Sequence, residues 1–234
     1  MKVFFANCGY LTGLTGRTDE YVFLLWRYLF EDSQISRPFI DTLKAEDPDV
    51  CLLVEMKHSK IMDIYDALPE YQHIVTVEKY GKGTLSKLGK RNVHAVLSKR
   101  PIENTRTLLF KDGNKKSILS VVIEGVDFHV CHLSLRAKTR RLQIQQLAEV
   151  LFSAKSTIVA GDFNVFGGDS ELEDFEKKGI FYNLNTKNQN TFPAYNPTKK
   201  LDYIYATRDI KESDFRILPE VFSDHRALCC TISK

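Results

Sequence analysis

Eight polar residues of this 234-residue chain lie beside short apolar segments, and their types suit metal-assisted chemistry. They are four carboxylates, two histidines and two asparagines: Asn7, Glu55, His132, Asp162, Asn164, Asp202, Asp224 and His225. Because the set contains no cysteine and no third histidine, it favours a hard cation, Mg²⁺ or Mn²⁺, over a closed zinc site. A carboxylate or histidine beside such a cation can deprotonate water for attack on phosphorus. The set therefore indicates hydrolysis of a phosphate ester.

Each of these residues adjoins a predicted strand. Four apolar runs end just before the first five residues, and two begin just after the last three: 3–6, 50–54, 128–131, 157–160, 203–206 and 227–232. If the last two strands run antiparallel to the first four, all eight residues lie at one edge of the sheets. Loops at such an edge assemble catalytic groups on a rigid support. Taken singly, each position is equally well explained as a polar residue that ends a strand, so the hypothesis depends on the whole set.

The periodicity of the chain predicts an α+β layered fold. Further strands are predicted at 73–77, 93–97 and 118–123, and helices at 19–30, 39–45, 139–152 and 169–178. Strands outnumber helices, and several are separated only by turns, which favours antiparallel pairing with helices on the outer faces. In the helix at 139–152 we expect Leu142, Leu147, Val150 and Leu151 to form the buried face.

The composition, 43% hydrophobic and 27% charged, is that of an ordinary soluble protein, and the length suits a single domain over residues 1–234. The most apolar segment, 21–30, is interrupted by Arg27 and falls short of the ~20 residues of a membrane span. Five cysteines without a CxxC pair indicate buried free thiols and a reducing compartment. We therefore expect a cytoplasmic monomer. The net charge of +3 is too small to identify a partner.

Six short motifs follow one another along the chain: PDVCLLVEMK (48–57), NVHAVLSKRPI (92–102), FHVCHLSL (128–135), IVAGDFNV (158–165), LDYIYAT (201–207) and SDHRAL (223–228). GDFN and SDH carry little information alone. In this order, with LDY between them and VE before them, the motifs resemble the endonuclease/exonuclease/phosphatase superfamily over nearly the whole chain. The resemblance implies a four-layer α/β/β/α sandwich of the DNase I type. It also implies a phosphoesterase that depends on Mg²⁺, with Mn²⁺ as a substitute.

The resemblance further implies where the metal binds. Glu55 would be the principal metal ligand with Asn7 beside it, and Asp224 would be a further carboxylate on the metal side. Many members carry an acidic residue two places after the first asparagine, whereas this chain has Gly9. We therefore expect one bound ion rather than two.

The remaining residues of the set would act on water and phosphate. By the same resemblance, Asp162 would orient or deprotonate the attacking water, and Asn164 would donate a hydrogen bond to a phosphate oxygen. His225 would bind the phosphate and stabilise the transition state, held in one tautomer by Asp202. His132 would be a second histidine that faces the phosphate. A histidine in this strand is typical of the DNase I, sphingomyelinase and phosphatase members, and it disfavours an apurinic endonuclease.

Basic residues near the motifs indicate the class of substrate. The segment 79–91 contains five cations, three glycines and no acidic residue, and Arg140 belongs to a second basic stretch. We expect Lys87, Lys90, Arg91 and Arg140 to contact substrate phosphates, which would make the affinity dependent on salt. The alternative interpretation is that the two basic segments are a solvated loop and an ordinary charged helix face without a role in substrate binding.

Three functions remain open on the sequence. The leading hypothesis is a nuclease or end-processing phosphodiesterase that acts on DNA or RNA, with cleavage that weakens steeply with salt. The second is an enzyme of the same fold that acts on a small phosphate ester or a phospholipid head group, with little dependence on salt. The third is a catalytically silent binding module, which the intact set of polar residues disfavours.

Overall fold

Apolar runs separated by turns form the strands, and the strands build two sheets. The computed structural model describes residues 1–23, 36–79, 92–115, 117–177 and 179–234. The first sheet contains β1 (Lys2–Asn7), β2 (Val50–Lys57), β3 (His73–Glu78), β4 (Asn92–Ser98), β11 (Lys211–Ile217) and β12 (Leu228–Ser233). The second sheet contains β5 (Asn104–Leu109), β6 (Ser117–Ile123), β7 (Val126–His132), β8 (Thr157–Asp162), β9 (Phe181–Asn183) and β10 (Asp202–Thr207). The strand orders are β11-β12-β1-β2-β4-β3 and β5-β6-β7-β8-β10-β9.

The strands that carry the polar residues point to one edge of the sheets. β1 runs parallel to β2 and antiparallel to β12, while β7 runs parallel to β8 and β10 antiparallel to β8. The register places Asp162 opposite His132 on one side and opposite Asp202 on the other. A hydrogen bond from Asn7 to Asp162 joins the edges of the two sheets. The predicted antiparallel orientation of the last two strands is confirmed.

Three apolar clusters hold the layers together. Because both faces of the sheets are covered, successive strand residues serve different clusters: Phe5 packs between the sheets, and Phe4 packs beneath the helices of the first sheet. Phe39 and Ile64 cover the first sheet from outside, and Ile144 lies in the corresponding cluster on the second. Burial of such large apolar side chains contributes roughly 1.5–3 kcal/mol each. The order of layers is α/β/β/α, as predicted.

Five α-helices are present among the described residues: α1 (Thr18–Phe23), α2 (Arg37–Glu46), α3 (His58–Ala67), α4 (Ala137–Val150) and α5 (Glu173–Glu176). Two short 3-10 helices, Gly9–Leu11 and Asp169–Leu172, accompany them. α2 and α4 correspond to predicted helices, and the helix predicted at 169–178 is a 3-10 turn followed by α5. The helix predicted at 19–30 is described only as far as Phe23, and the rest of it lies outside the described residues.

The buried face predicted for α4 was partly wrong. Leu142 and Val150 are 38% and 54% exposed, whereas Arg140, Gln143 and Ile144 are buried with Leu147. The polar pair can be buried because each side chain finds hydrogen-bond partners in the neighbouring loops. Because the prediction used only the apolar residues, it placed the buried face of α4 on the wrong side of Leu147.

Three strands were not predicted from the sequence, and all three lie at the edges of the sheets. They are β5, β9 and β11. β5 and β11 are largely exposed and rich in polar residues, which is how natural sheets keep their edges from pairing with other chains. Such edges lack the apolar runs on which the prediction depends. Helix α3 was also not predicted.

None of the helices in the described parts of the chain is both long and apolar enough to cross a membrane. The five cysteines are buried and unpaired, as expected.

Candidate active site

The edge where the two sheets meet brings together all eight polar residues of the sequence set. Six of their side chains are buried, and Glu55 and Asp224 are partly exposed. The first sheet and its loops contribute Asn7, Glu55 and the segment before β12. The second sheet contributes the residues after β7 and β8 and at the start of β10. The site is therefore assembled from both halves of the sandwich.

Asp162 is the hub of the site. Its Oδ2 accepts a 3.0 Å hydrogen bond from Asn7 Nδ2, and its Oδ1 accepts one of 2.9 Å from the backbone N–H of Asn164. His132 Nε2 lies 3.3 Å from Oδ2, and His225 Nε2 lies 4.0 Å from it. Burial, reinforced by the charge of Asp202, raises the pKa of Asp162, although His225 opposes that effect. A carboxylate with a raised pKa is a better proton acceptor.

A short backbone turn after β8 holds Asp162 and Asn164 in place. A side chain at Gly161 would put a Cβ atom 2.4 Å from the carbonyl oxygen of Cys131, so this position requires glycine. Asn164 has φ of 53°, a left-handed conformation that asparagine tolerates better than most residues. Its Nδ2 donates a 2.9 Å hydrogen bond to Leu133 O. The GDFN motif thus specifies a backbone shape as well as two polar side chains.

His225 is held by a buried carboxylate. Its Nδ1 donates a 2.7 Å hydrogen bond to Asp202 Oδ2, which also accepts a 2.6 Å bond from Thr191 Oγ1. The ring packs against Phe192 with centroids 4.9 Å apart. Burial alone would lower the pKa of His225, but Asp202 and then Asp162 raise it overall. The ring is therefore an imidazolium whose Nε2–H faces Asp162.

Glu55 lies at a bulge in β2. The register between β2 and β4 shifts at this point, and Glu55 itself has φ of 53°. Its Oε1 receives hydrogen bonds of 2.5 Å from Lys79 Nζ and 3.0 Å from Tyr10 OH. Burial would raise the pKa of Glu55, but Lys79 and Lys115 together lower it. The bulge re-aims an ionised carboxylate into the site.

Asp224 lies beside Gly9 at the edge of the site. Its Oδ2 accepts a 2.6 Å hydrogen bond from Tyr21 OH, and its Oδ1 accepts one of 3.1 Å from Ser223 Oγ. A Cβ atom at Gly9 would lie 2.8 Å from that Oδ1, and Gly9 has φ of 49°. Asp224 therefore occupies the space that a side chain at residue 9 would need.

The donor set fits a hard divalent cation. Carboxylate and amide oxygens of Glu55, Asn7 and Asp224 are the ligands that Mg²⁺ prefers. Ligand atoms of Asp162, Asp202 and His225 also lie within 4.8 Å of one another in a buried cluster. Two of these three residues, His225 and Asp202, already bind each other through the hydrogen bond between Nδ1 and Oδ2. The oxygens of Glu55, Asn7 and Asp224 thus remain the set proposed to hold a cation.

Comparison with protein families identifies this arrangement. A model described as the endonuclease/exonuclease/phosphatase family matches residues 31–225. The chain belongs to this family. A search of the curated proteins finds no match.

Solved structures of the family share the fold. An endonuclease/exonuclease/phosphatase family protein from Bacteroides thetaiotaomicron is 16% identical, with a TM-score of 0.75 over 99% of this chain and 97% of its own. The mannosyl-6-phosphatase Bt3783 of the same organism is 16% identical, with a TM-score of 0.72 over 100% of both chains. D. rerio TDP2 complexed with a single-strand DNA product is 16% identical, with a TM-score of 0.70 over 100% of this chain and 99% of its own. At this identity the likeness concerns the fold. Family membership supports a metal-dependent phosphoesterase.

Three residues of this family member's site were not identified as site residues from the sequence. Lys79 is 1% exposed and binds Glu55, although the sequence placed it in the basic loop. Lys115 Nζ contacts His132 Nε2, and burial followed by the charge of Lys79 lowers its pKa to about 8. His94 is fully buried, and burial together with Lys79 lowers its pKa to about 3. Lys79 and Lys115 each have other lysines nearby in the sequence, so the sequence alone does not distinguish them as buried site residues.

Of the four predicted substrate-binding residues, only Arg140 lies among the described residues. Arg140 is 2% exposed and its guanidinium pairs with both carboxylate oxygens of Glu171, at 2.8 Å each, and with the carbonyls of Ser134 and Leu135. These internal contacts occupy the guanidinium and disfavour the predicted contact with substrate. The other three predicted residues, Lys87, Lys90 and Arg91, lie outside the described residues.

Proposed function

We propose that this protein hydrolyses phosphodiester bonds in nucleic acid with one Mg²⁺ ion, for which Mn²⁺ can substitute. The observation that carries the proposal is the buried chain Asp202–His225 beside Asp162, facing Glu55 across the edge of the two sheets. One carboxylate has a raised pKa, one has a lowered pKa, and an imidazolium lies beside the first. Pairs of titratable groups whose pKa values are pushed apart mark acid and base roles.

The residues divide the reaction among them. Glu55, Asn7 and Asp224 would hold the ion, which would supply positive charge to the phosphate. Asp162 would accept the proton of the attacking water as the new P–O bond forms.

The same step breaks the bond between phosphorus and the leaving oxygen, which departs with the electron pair and is protonated by solvent water. His225, with its Nδ1 proton held by Asp202, would donate from Nε2 to the developing charge on a phosphoryl oxygen. Asn164 would position that phosphate.

A cleft beside the site supports a polymeric substrate. A cavity of about 1220 Å³ runs along the start of α4, and its lining contains Phe166, the cations Lys138 and Arg141, and the carboxylates Glu173 and Asp174. Phe166 is 42% exposed and packs against Phe192, which contacts the His225 ring. An exposed aromatic ring beside the site is a platform on which a base can stack. The TDP2 structure with a single-strand DNA product is a relative that binds such a substrate.

The test is cleavage of labelled single- and double-stranded DNA and RNA by the purified protein, with Mg²⁺ or with chelator. We expect metal-dependent products that Asp162→Asn does not make, and rates that fall steeply as salt is raised. Lengths of the products separate internal from terminal cleavage. Absence of cutting on every strand would refute the nucleic-acid substrate.

A second candidate is a phosphatase that acts on a small phosphate ester. The observation that favours it is the pair of ammonium groups, Lys79 and Lys115, inside the site itself. The mannosyl-6-phosphatase is a relative whose name states such a substrate. This candidate predicts release of phosphate from sugar phosphates with little dependence on salt, and no cutting of oligonucleotides.

A further inference from the structure

Lys115 lies at the centre of the site although none of the motifs includes it. It precedes β6, and its Nζ contacts His132 Nε2. Its charge also favours the ionised forms of Asp162 and Glu55. His132 Nε2 lies 3.3 Å from Asp162 Oδ2 and its Nδ1 lies 3.5 Å from Glu55 Oε1, so an ammonium bound to this ring is next to a residue that adjoins both the proposed base and the proposed metal ligand.

The backbone at Lys115 is anchored. Gln143, fully buried in α4, donates from Nε2 to the carbonyls of Lys115 at 2.8 Å and Asp112 at 3.0 Å. Its Oε1 accepts a 2.8 Å hydrogen bond from the backbone N–H of Ser134, just after His132. One buried amide thus ties the Lys115 loop to the strand end that carries His132. A residue held in this way is positioned before a ligand arrives, which reduces the entropy lost on binding.

The contact with Lys115 also sets the tautomer of His132. An ammonium group has only donors, so His132 Nε2 must accept from it. A ring that accepts at Nε2 is neutral and carries its proton on Nδ1. That proton faces Glu55 Oε1 at 3.5 Å. His132 consequently has no N–H directed at Asp162, and the cation that contacts its Nε2 is Lys115.

Lys79 does not fill the same place. Its ammonium donates to Glu55 Oε1 at 2.5 Å and to Tyr10 OH at 2.7 Å, and the side chain is 1% exposed. It lies on the metal side, whereas Lys115 lies on the side of Asp162 and His132. The two lysines thus have separate surroundings.

We propose that Lys115 binds the substrate directly, donating a hydrogen bond from its ammonium to a non-bridging oxygen of the phosphate. It takes the phosphate-facing position that the sequence predicted for His132. The inference rests on the proposed phosphoesterase function but applies equally to a diester or a monoester, because both present non-bridging oxygens.

The test measures binding of inorganic phosphate to the full-length, Mg²⁺-loaded protein by calorimetry. Lys115→Met keeps the length of the side chain and removes its charge, and Lys111→Met, an exposed lysine of the same loop, is the matched control. We expect the dissociation constant for phosphate to rise about 10- to 100-fold in Lys115→Met. The control should stay within about twofold of the unmodified protein. Thermal unfolding verifies that each variant folds, and Lys115→Gln replaces Lys115→Met if the latter does not.

The outcomes separate this inference from the proposed function. Phosphate affinity that is unchanged in Lys115→Met, or absent from the unmodified protein, overturns the role of Lys115. Weakened phosphate binding in a protein that cuts no nucleic acid supports Lys115 and refutes the nucleic-acid substrate. Weakened binding with a matching rise in KM for a cleaved substrate supports both.

Discussion

The two sheets supply the site with carboxylates that behave in opposite ways. On the first sheet, Glu55 lies beside Lys79 and has a lowered pKa. On the second, Asp162 is buried near Asp202 and has a raised pKa. A permanently ionised carboxylate suits a metal ligand, whereas one that can take up a proton suits a general base. The surroundings therefore suit the same side-chain chemistry to the two roles that we propose.

His225 connects the halves. It precedes β12 of the first sheet, yet its partner Asp202 begins β10 of the second. Variants on each side should consequently fail in different ways.

Asp162→Asn should lose the most activity. The amide cannot accept the proton of water, so we expect kcat/KM to fall by about 10²–10⁴-fold, with thermal stability retained. Extra Mg²⁺ should not restore the rate. Asp66→Asn, on an exposed position of α3, is the control. Activity close to that of the unmodified protein would remove Asp162 from the role of base.

Glu55→Gln should fail through the metal. Loss of one ligand charge should weaken Mg²⁺ binding by at least about 10- to 100-fold, as measured by calorimetry. In contrast to the Asp162 variant, raising Mg²⁺ should recover much of the activity. Glu70→Gln, an exposed glutamate, is the control. Unchanged Mg²⁺ affinity would show that the ion is held elsewhere in the site.

Asp202→Asn should shift the pH profile with a smaller loss of rate, about 10- to 100-fold. Asp202 raises the pKa of both Asp162 and His225, so its neutralisation lowers both. Activity that needs ionised Asp162 and protonated His225 rises with pH through the first pKa and falls through the second. Both limbs of the kcat/KM profile should therefore move to lower pH. A profile that keeps its position would contradict this electrostatic link.

Arg140→Met tests whether the residue is structural. Breaking its pair with Glu171 should lower the free energy of unfolding by about 3 kcal/mol, at the lower end of the range because Glu171 is partly exposed. Urea denaturation measures that loss, and kcat/KM of the folded enzyme should change little. Arg141→Met, exposed on the same helix, should leave stability unchanged. A fall in kcat/KM at unchanged stability would restore Arg140 to the substrate site.

Interior strands and edge strands differ in how much the sequence predicts. β1, β2, β7 and β8 are buried on both faces and appear as apolar runs, so they were found together with the polar residues at their ends. The exposed edge strand β11 carries charged residues and lacks such a run. A strand that is buried on both faces must consist of apolar residues, and this apolar run is what the sequence shows. A partly exposed edge strand does not need such a run.

The sequence by itself determined which residues meet at the edge of the sheets. Asn7 and Asp162 are 155 positions apart, yet the ends of their strands were enough to predict that they lie together. Tertiary structure alone decided what the lysines and Arg140 do. Whether a basic side chain turns into the site, pairs with a glutamate or faces solvent depends on partners from other loops and helices. Those partners are selected by the geometry of the folded chain, so the local sequence shows neither that Arg140 pairs with Glu171 nor that Lys115 contacts His132.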